Sequence, residues 1–200
     1  ARHPHHLPQS ALEKPRALRE AGYSTCTVGK NHFAPWRNGH GYEQMMLDAY
    51  DGAADPGSWW SQGGAEAADS YAGGQGLADA NWRALIPEAH VAWMRRLGLI
   101  LHDEARGLVF VHAGIEPAAF PNESDQIYLW TRSDRFFDAG AWPDRDALKG
   151  LTVIHGHTPR TYQPEVFAHR INVDTGACFG GPLTAVMLKE GAAPEFIRAT

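Results

Sequence analysis

Two hydropathy regimes divide the chain near Leu99. Before it, apolar positions recur at helical spacing. "LEKPRALREA" (residues 12–21) predicts a helix, with Pro15 tolerable in a first turn and Gly22 as the stop. "YSTCTVGK" (23–30) predicts a short strand, and "NHFAPWRNGHGY" (31–42) a loop. "EQMMLDAY" (43–50) predicts a further helix, broken by "DGAADPG" and followed by the weaker helical piece "SWWSQGGAEAADSYAG". "ADANWRALIPEAHVAWMRRLG" reads as two helical segments split at Pro87, with Met94 and Leu97 extending an apolar face from Val91. After Leu99 the runs shorten and become β-branched: "GLVFVHAGI", "LTVIHGH", "RINVDTGA", "LTAVMLKE" and "PEFIRAT". Each is bounded by Gly, Pro or Asp, which predicts strands, and the last two predict a hairpin around "KEGAAP". Helical material followed by strands implies an α/β or α+β layered fold.

Composition narrows the function. The chain is 44% hydrophobic and 20% charged over 200 residues, enough for a packed core. A formal charge of -5 argues against nucleic acid as a partner, which selects for basic patches. No apolar run approaches the roughly 18 residues of a membrane span, so no membrane partner is expected. The N-terminus, "ARHPHHLPQS", lacks the apolar centre of a secretory signal and an initiator methionine. Cys26 and Cys178 stand in dissimilar contexts and do not form a disulfide scaffold, which favours a reducing, cytoplasmic setting.

The candidate chemistry lies where strands end in histidine. "VFVHAG" places His112 before a glycine turn, and "VIHGHTP" does the same with His155 and His157. Residues two apart on a strand face one side, so His155 and His157 would point into one cleft. Neutral imidazole ligates Zn, Mn or Fe; strand-end histidines also serve simply to hydrogen-bond loops.

Residues 43–190 resemble the C-terminal part of bacterial serine/threonine phosphoprotein phosphatases of the calcineurin-like metallophosphoesterase superfamily. "EQMMLDAY", "WWSQGGAEAADSYAG", "IPEAHVAWMRRL", "GLVFVHAGIEP", "YLWTRSDRF", "VIHGHTP" and "RINVDTGACFGGPLTAVML" carry the resemblance, in family order. It implies the later part of an αββα sandwich, with two divalent metals (Mn, or Fe with Zn) at the strand ends. Two close metals activate a bridging water for in-line attack on a phosphate monoester. The substrate would be a phosphoprotein or a small phosphate ester, with a dinucleoside polyphosphate as a close variant. The resemblance implies His112 and His157 as metal ligands and Arg132 of "LWTR" as the phosphate clamp, a task suited to a guanidinium fork. Arg132 has the alternative of a surface ion pair with Asp134 or Asp138. His155 is not fixed by the family and is expected to line the cleft behind the ligands. Asp174 either orients a ligand imidazole or caps a turn.

The resemblance leaves the catalytic residue unassigned. Ligands expected from "GDIHG", "GDLVDRG" and "GNHE" motifs are missing, and no Asp precedes Asp48. Asn38 and His40 echo the third motif at the wrong spacing, while Asn31 and His32 lie too far upstream. Residues 7–42 instead resemble a sulfatase segment, "LREAGY…VGKNH…HG", whose lysine and histidine match Lys30 and His32. Neither "TCTVG" nor "ACFGG" supplies the cysteine context a sulfatase needs. The chain therefore reads as a chimera: a sulfatase-like segment over 1–42 and a metallophosphoesterase-like domain over 43–200. An inactive structural or binding fragment is the reading from another class.

Overall fold

The computed structural model describes residues 32–33, 36–37, 40–74 and 81–199. The helix expected over 12–21, the strand expected over 23–30, and Lys30 lie outside these residues. By internal contacts the described chain falls into two compact units, one ending at Leu97 and one running from Gly98.

In the first unit, the expected loop over 31–42 contains a minimal antiparallel pair, β1 (His32–Phe33) and β2 (Trp36–Arg37). Helix α1 (His40–Asp51) starts before the anticipated Glu43. Its far end is closed by Arg83, which donates to the carbonyls of Tyr50 (2.9 Å) and Ala49 (2.6 Å). Such contacts satisfy carbonyls that a helix terminus leaves unpaired. Next come α2 (Gly57–Trp59), a π-helical turn over Trp60–Gly64, α3 (Ala65–Tyr71) and, beyond Pro87, α4 (Glu88–Met94). Their apolar stripes meet in one core built on Met46, Trp59, Trp82, Ile86, Val91 and Met94. Trp59 and Trp82 pack with ring centroids 4.6 Å apart.

The second unit is built on a five-stranded sheet in the order β3 (Ile100–Asp103), β4 (Leu108–Val111), β5 (Thr152–His155), β7 (Arg170–Asn172), β6 (Glu165–Val166). The inner strands β4, β5 and β7 run parallel, and the edge strands are antiparallel to their neighbours. Parallel strands are covered on both faces, which explains the unbroken apolar runs "LVFV" and "TVI". On one face Val109, Val111 and Val153 pack with Ile115, Phe120 and Phe136. These last three belong to the long β4–β5 connection, which also carries α5 (Asp125–Trp130) and α6 (Asp134–Phe137). On the other face Ile154, Ile171 and Val173 pack with Phe110, Val186 and Phe196. Val186 and Phe196 come from the closing hairpin, β8 (Leu183–Met187) and β9 (Glu195–Ala199), which pairs as the sequence predicts. The fold is a mixed α/β layering around a mostly parallel sheet, as expected. The parallel order brings the C-terminal ends of β4 and β5, and so all the candidate histidines, to one edge of the sheet.

Candidate active site at the strand ends

His112 directly follows β4, and its carbonyl accepts the Gly156 N–H at 2.9 Å, fastening the end of β4 to the end of β5. Two residues on, Gly114 (φ +156°) lets the chain pass against the core. A Cβ there would stand 2.6 Å from Phe136 Cε1 and 2.9 Å from Thr131 Cγ2.

His157 does not continue the strand. Its φ is +66°, the single non-glycine residue with positive φ among the described residues. The Thr158 N–H donates to the Gly156 carbonyl at 2.7 Å across it. An i to i+2 hydrogen bond about a positive φ is a γ-turn of the rare, strained kind. Left-handed backbone in a non-glycine residue clusters at functional sites, where surrounding structure holds it. The turn aims the imidazole at β4. His112 Nε2 and His157 Nδ1 lie 3.0 Å apart, with one N–H donating to the other's bare nitrogen. The rings meet edge to face at 4.8 Å, and Trp130, closing α5, sets its ring against His157 at 5.8 Å. Both histidines are nearly buried, 3% and 6% exposed.

The same turn separates His155 from His157, so the shared face expected from strand alternation is not formed. Alternation holds only while the chain stays extended, and β5 ends at His155. His155, fully buried, packs edge-on to Phe136 at 4.7 Å and Phe137 at 5.8 Å. Its Nδ1–H donates to the Gly156 carbonyl at 3.1 Å, and its Nε2 is buried with no partner among the described residues. Burial pushes its pKa down to about 3, because the cationic ring would lose its water without gaining a counter-charge. His155 is a neutral core imidazole that hydrogen-bonds neither His112 nor His157.

Arg132 follows α5, is exposed, and donates from Nη1 to Thr158 Oγ1 at 3.2 Å. Among the described residues it forms no ion pair, so neither Asp134 nor Asp138 takes it. His112, His157, Thr158 and Arg132 are thus linked into one cluster. Asp174 Oδ1 accepts the Gly176 N–H at 3.0 Å, the turn-capping contact of its two readings.

Sequence reasoning gave Asn172 no role, yet it supports the cluster. Fully buried and in register with His155, it donates from Nδ2 to the Thr158 carbonyl at 2.9 Å. Its Oδ1 accepts the Asp174 N–H at 3.0 Å. Glu165 bridges it at 3.4 Å to Arg170, whose buried guanidinium pairs with Glu165 at 3.0 Å. Two polar residues, Arg170 and Asn172, alternating with apolar ones in "RINV" were the available signal, since a buried amide needs partners.

Among the described residues no three His, Cys, Asp or Glu gather where a metal could sit. Two imidazoles fall short of the three or four protein ligands an ion usually takes. The described residues therefore do not fit the two-metal centre that the family resemblance implies.

No family model matches the chain. It is 49% identical over 97 residues to asymmetrical bis(5'-nucleosyl)-tetraphosphatase PrpE of Bacillus cereus (strain AH820), covering 44% of this chain and 38% of that protein. The protein of the same name from Oceanobacillus iheyensis is 32% identical over 114 residues, covering 52% of this chain and 45% of the relative. The chain thus spans less than half the length of these curated relatives. A solved structure described as a candidate diadenosine tetraphosphatase superposes with a TM-score of 0.50 at 17% identity, over 92% of this chain and 72% of that one. That likeness is one of fold. The curated relatives bear the names of phosphoester hydrolases, and neither they nor the solved structure support the sulfatase likeness of residues 7–42 or a phosphoprotein substrate. No helix among the described residues is long and apolar enough to cross a membrane.

Proposed function

We propose that the chain carries one side of a phosphoester hydrolase site whose substrate is a dinucleoside polyphosphate rather than a phosphoserine or phosphothreonine protein. The observation that carries this reading is the buried His112–His157 contact, linked through Thr158 to Arg132. Arg132 spends one N–H on Thr158 and offers the rest of its fork to phosphate oxygens. The imidazole pair serves as a proton store. In its singly protonated form, imidazolium beside imidazole, the pair keeps the proton between Nε2 of His112 and Nδ1 of His157 and gives one from an outer ring nitrogen to the departing phosphate oxygen, returning to two neutral rings. A proton from the attacking water restores the charge. Divalent ions, where the full family site exists, supply charge neutralisation and a more acidic water. No step here depends on them, and their remaining ligands would have to come from outside the described residues.

The test is hydrolysis of diadenosine tetraphosphate, a phosphoserine peptide and an aryl sulfate by the 200-residue chain with Mn²⁺ supplied. The nucleotide alone should be cleaved. His112→Ala or His157→Ala should lower kcat by about 10²-fold or more. Arg132→Lys should chiefly raise KM, since an ammonium cannot reproduce the fork. Cleavage of the sulfate or the peptide in preference to the nucleotide would overturn the reading.

A second reading, a nucleotide-binding segment without turnover, is favoured by the missing third ligand among the described residues. Tight nucleotide binding with no release of product, Mn²⁺ present, selects it over the first.

A further inference from the structure

Directly beyond Thr158 the second unit opens into a cleft of about 420 Å³, lined by Pro159, Arg160, Thr161, Tyr162, Gly176 and Phe179. Two of its walls are aromatic and turned to solvent: Tyr162 is 58% exposed and Phe179 68%. Exposed rings converging on a concavity mark a place where something apolar and flat is meant to sit.

The rings are held rather than loose. Tyr162 lies against glycine backbone that tolerates no side chain. A Cβ on Gly181 would stand 2.8 Å from Tyr162 Cδ1 and 2.0 Å from the Thr175 carbonyl oxygen. One on Gly176 would stand 3.2 Å from Tyr162 Cε1. Arg198 of β9 pins the loop from below, donating to the Tyr162 carbonyl at 2.5 Å and to Gln163 Oε1 at 2.7 Å. Thr161 Oγ1 is already engaged, donating to the Gln163 carbonyl at 2.7 Å and accepting its N–H at 3.1 Å. Phe179 ends a 3₁₀ turn, Ala177–Phe179, bounded by left-handed Gly176 and Gly180. Arg160 adds charge at the rim: its guanidinium lies 5.0 Å over Phe137, with Nε 3.6 Å from Glu165. Among the described residues nothing hydrogen-bonds it.

We propose that this cleft is a nucleobase subsite, in which a base stacks on Tyr162 and Phe179 while its phosphates run toward Thr158, His157 and Arg132. The inference rests on the phosphoester reading of that cluster. It adds a place for the part of the substrate that is not phosphate. One residue separates the cleft's first wall from His157, so base and phosphate sites are contiguous along a single loop. Stacking accepts any base, because each has a π face. With the Thr161 hydroxyl already committed, the subsite should read bases loosely.

Calorimetric titration of the 200-residue chain tests this, with inorganic tripolyphosphate and the β,γ-methylene analogue of ATP as probes. The nucleotide should bind wild-type protein about tenfold or more tightly than tripolyphosphate. Tyr162→Ala or Phe179→Ala should abolish that gain and leave tripolyphosphate affinity unchanged, while Tyr162→Phe retains it. Both side chains are largely exposed, and circular dichroism confirms that the variants are folded. A gain that survives both alanine variants overturns the subsite and leaves the nucleotide reading standing. Equal affinity for the two probes overturns the subsite but spares the phosphate cluster. Failure to bind either probe overturns both.

Discussion

His157 sits in a backbone conformation that costs an L-residue about 1–2 kcal/mol, and its γ-turn aims the ring at His112. That strain separates the backbone's contribution from the ring's. His157→Gly and His157→Ala both delete the imidazole, but only glycine relieves the turn. Glycine should leave the protein about 1 kcal/mol more stable than alanine does, read from urea denaturation midpoints at constant slope. Alanine equal to or better than glycine would show that the turn is not strained. Strand-end glycine contexts mark His112, His155 and His157 alike, and only the family resemblance sets His112 and His157 apart as a pair. Their contact, and the divergence of His155, were not legible in the sequence. A γ-turn depends on a single dihedral that no alternation pattern encodes, and the burial of His155 depends on Phe136 and Phe137, some twenty residues upstream. Asn172 was passed over for a similar reason: its partners Thr158 and Glu165 are brought to it only by strand pairing.

At the level of elements, the turn after β4 relies on the absence of one carbon. Gly114→Ala would drive a Cβ into Phe136, which is fully buried and has nowhere to go. We expect a loss of about 1–3 kcal/mol from overpacking, measured by chemical denaturation, with partial recovery in Gly114→Ala/Phe136→Leu because the two sites share one space. A variant within about 0.5 kcal/mol of wild type would mean that the layer yields freely. The inner strands and the closing hairpin were readable because their apolar runs are buried on both faces or alternate. Strand β3 was not, since its middle residues are exposed and its apolar stretch merges with the end of the preceding helical pattern. Strand β6 has only two residues, below any periodicity.

For the whole molecule, stability should carry the mark of one misplaced acid. Glu123 is half-buried: its Oε1 accepts the Glu116 N–H at 3.2 Å, and its Oε2 has no partner among the described residues. Burial, the main cause, raises its pKa to about 7, with repulsion from Glu116 adding to it and Arg145 opposing. A raised carboxyl binds more protons folded than unfolded, so stability falls as pH rises from about 4.5 to about 7 and is then level. Allowing for its partial exposure, the effect is about 1 kcal/mol, or ~2–4 °C in Tm. Tm should decline from pH 5 to pH 8 by that much more in the wild type than in Glu123→Gln. Parallel profiles would remove Glu123 as the cause. The layered architecture was readable at this scale from helices preceding strands. The two-metal expectation was drawn from family likeness, and the described residues gather no group of three candidate ligands, only the His112–His157 pair.

The amides of Gly156 and Thr158, on either side of the strained turn, donate at 2.9 Å to His112 and 2.7 Å to Gly156, and Val173 donates to His155 at 2.9 Å. The Gly156 and Val173 protons lie past the ends of β5 and β7, in what would ordinarily be fast-exchanging loops, yet each is bonded to the end of the neighbouring inner strand. The Thr158 proton is held only within its own turn. In deuterated water the Gly156 and Val173 protons should be released only when the core strands open. The start of the loop bearing His157 should then open only together with the sheet, so that on the proposed reading its imidazole is in place before substrate arrives.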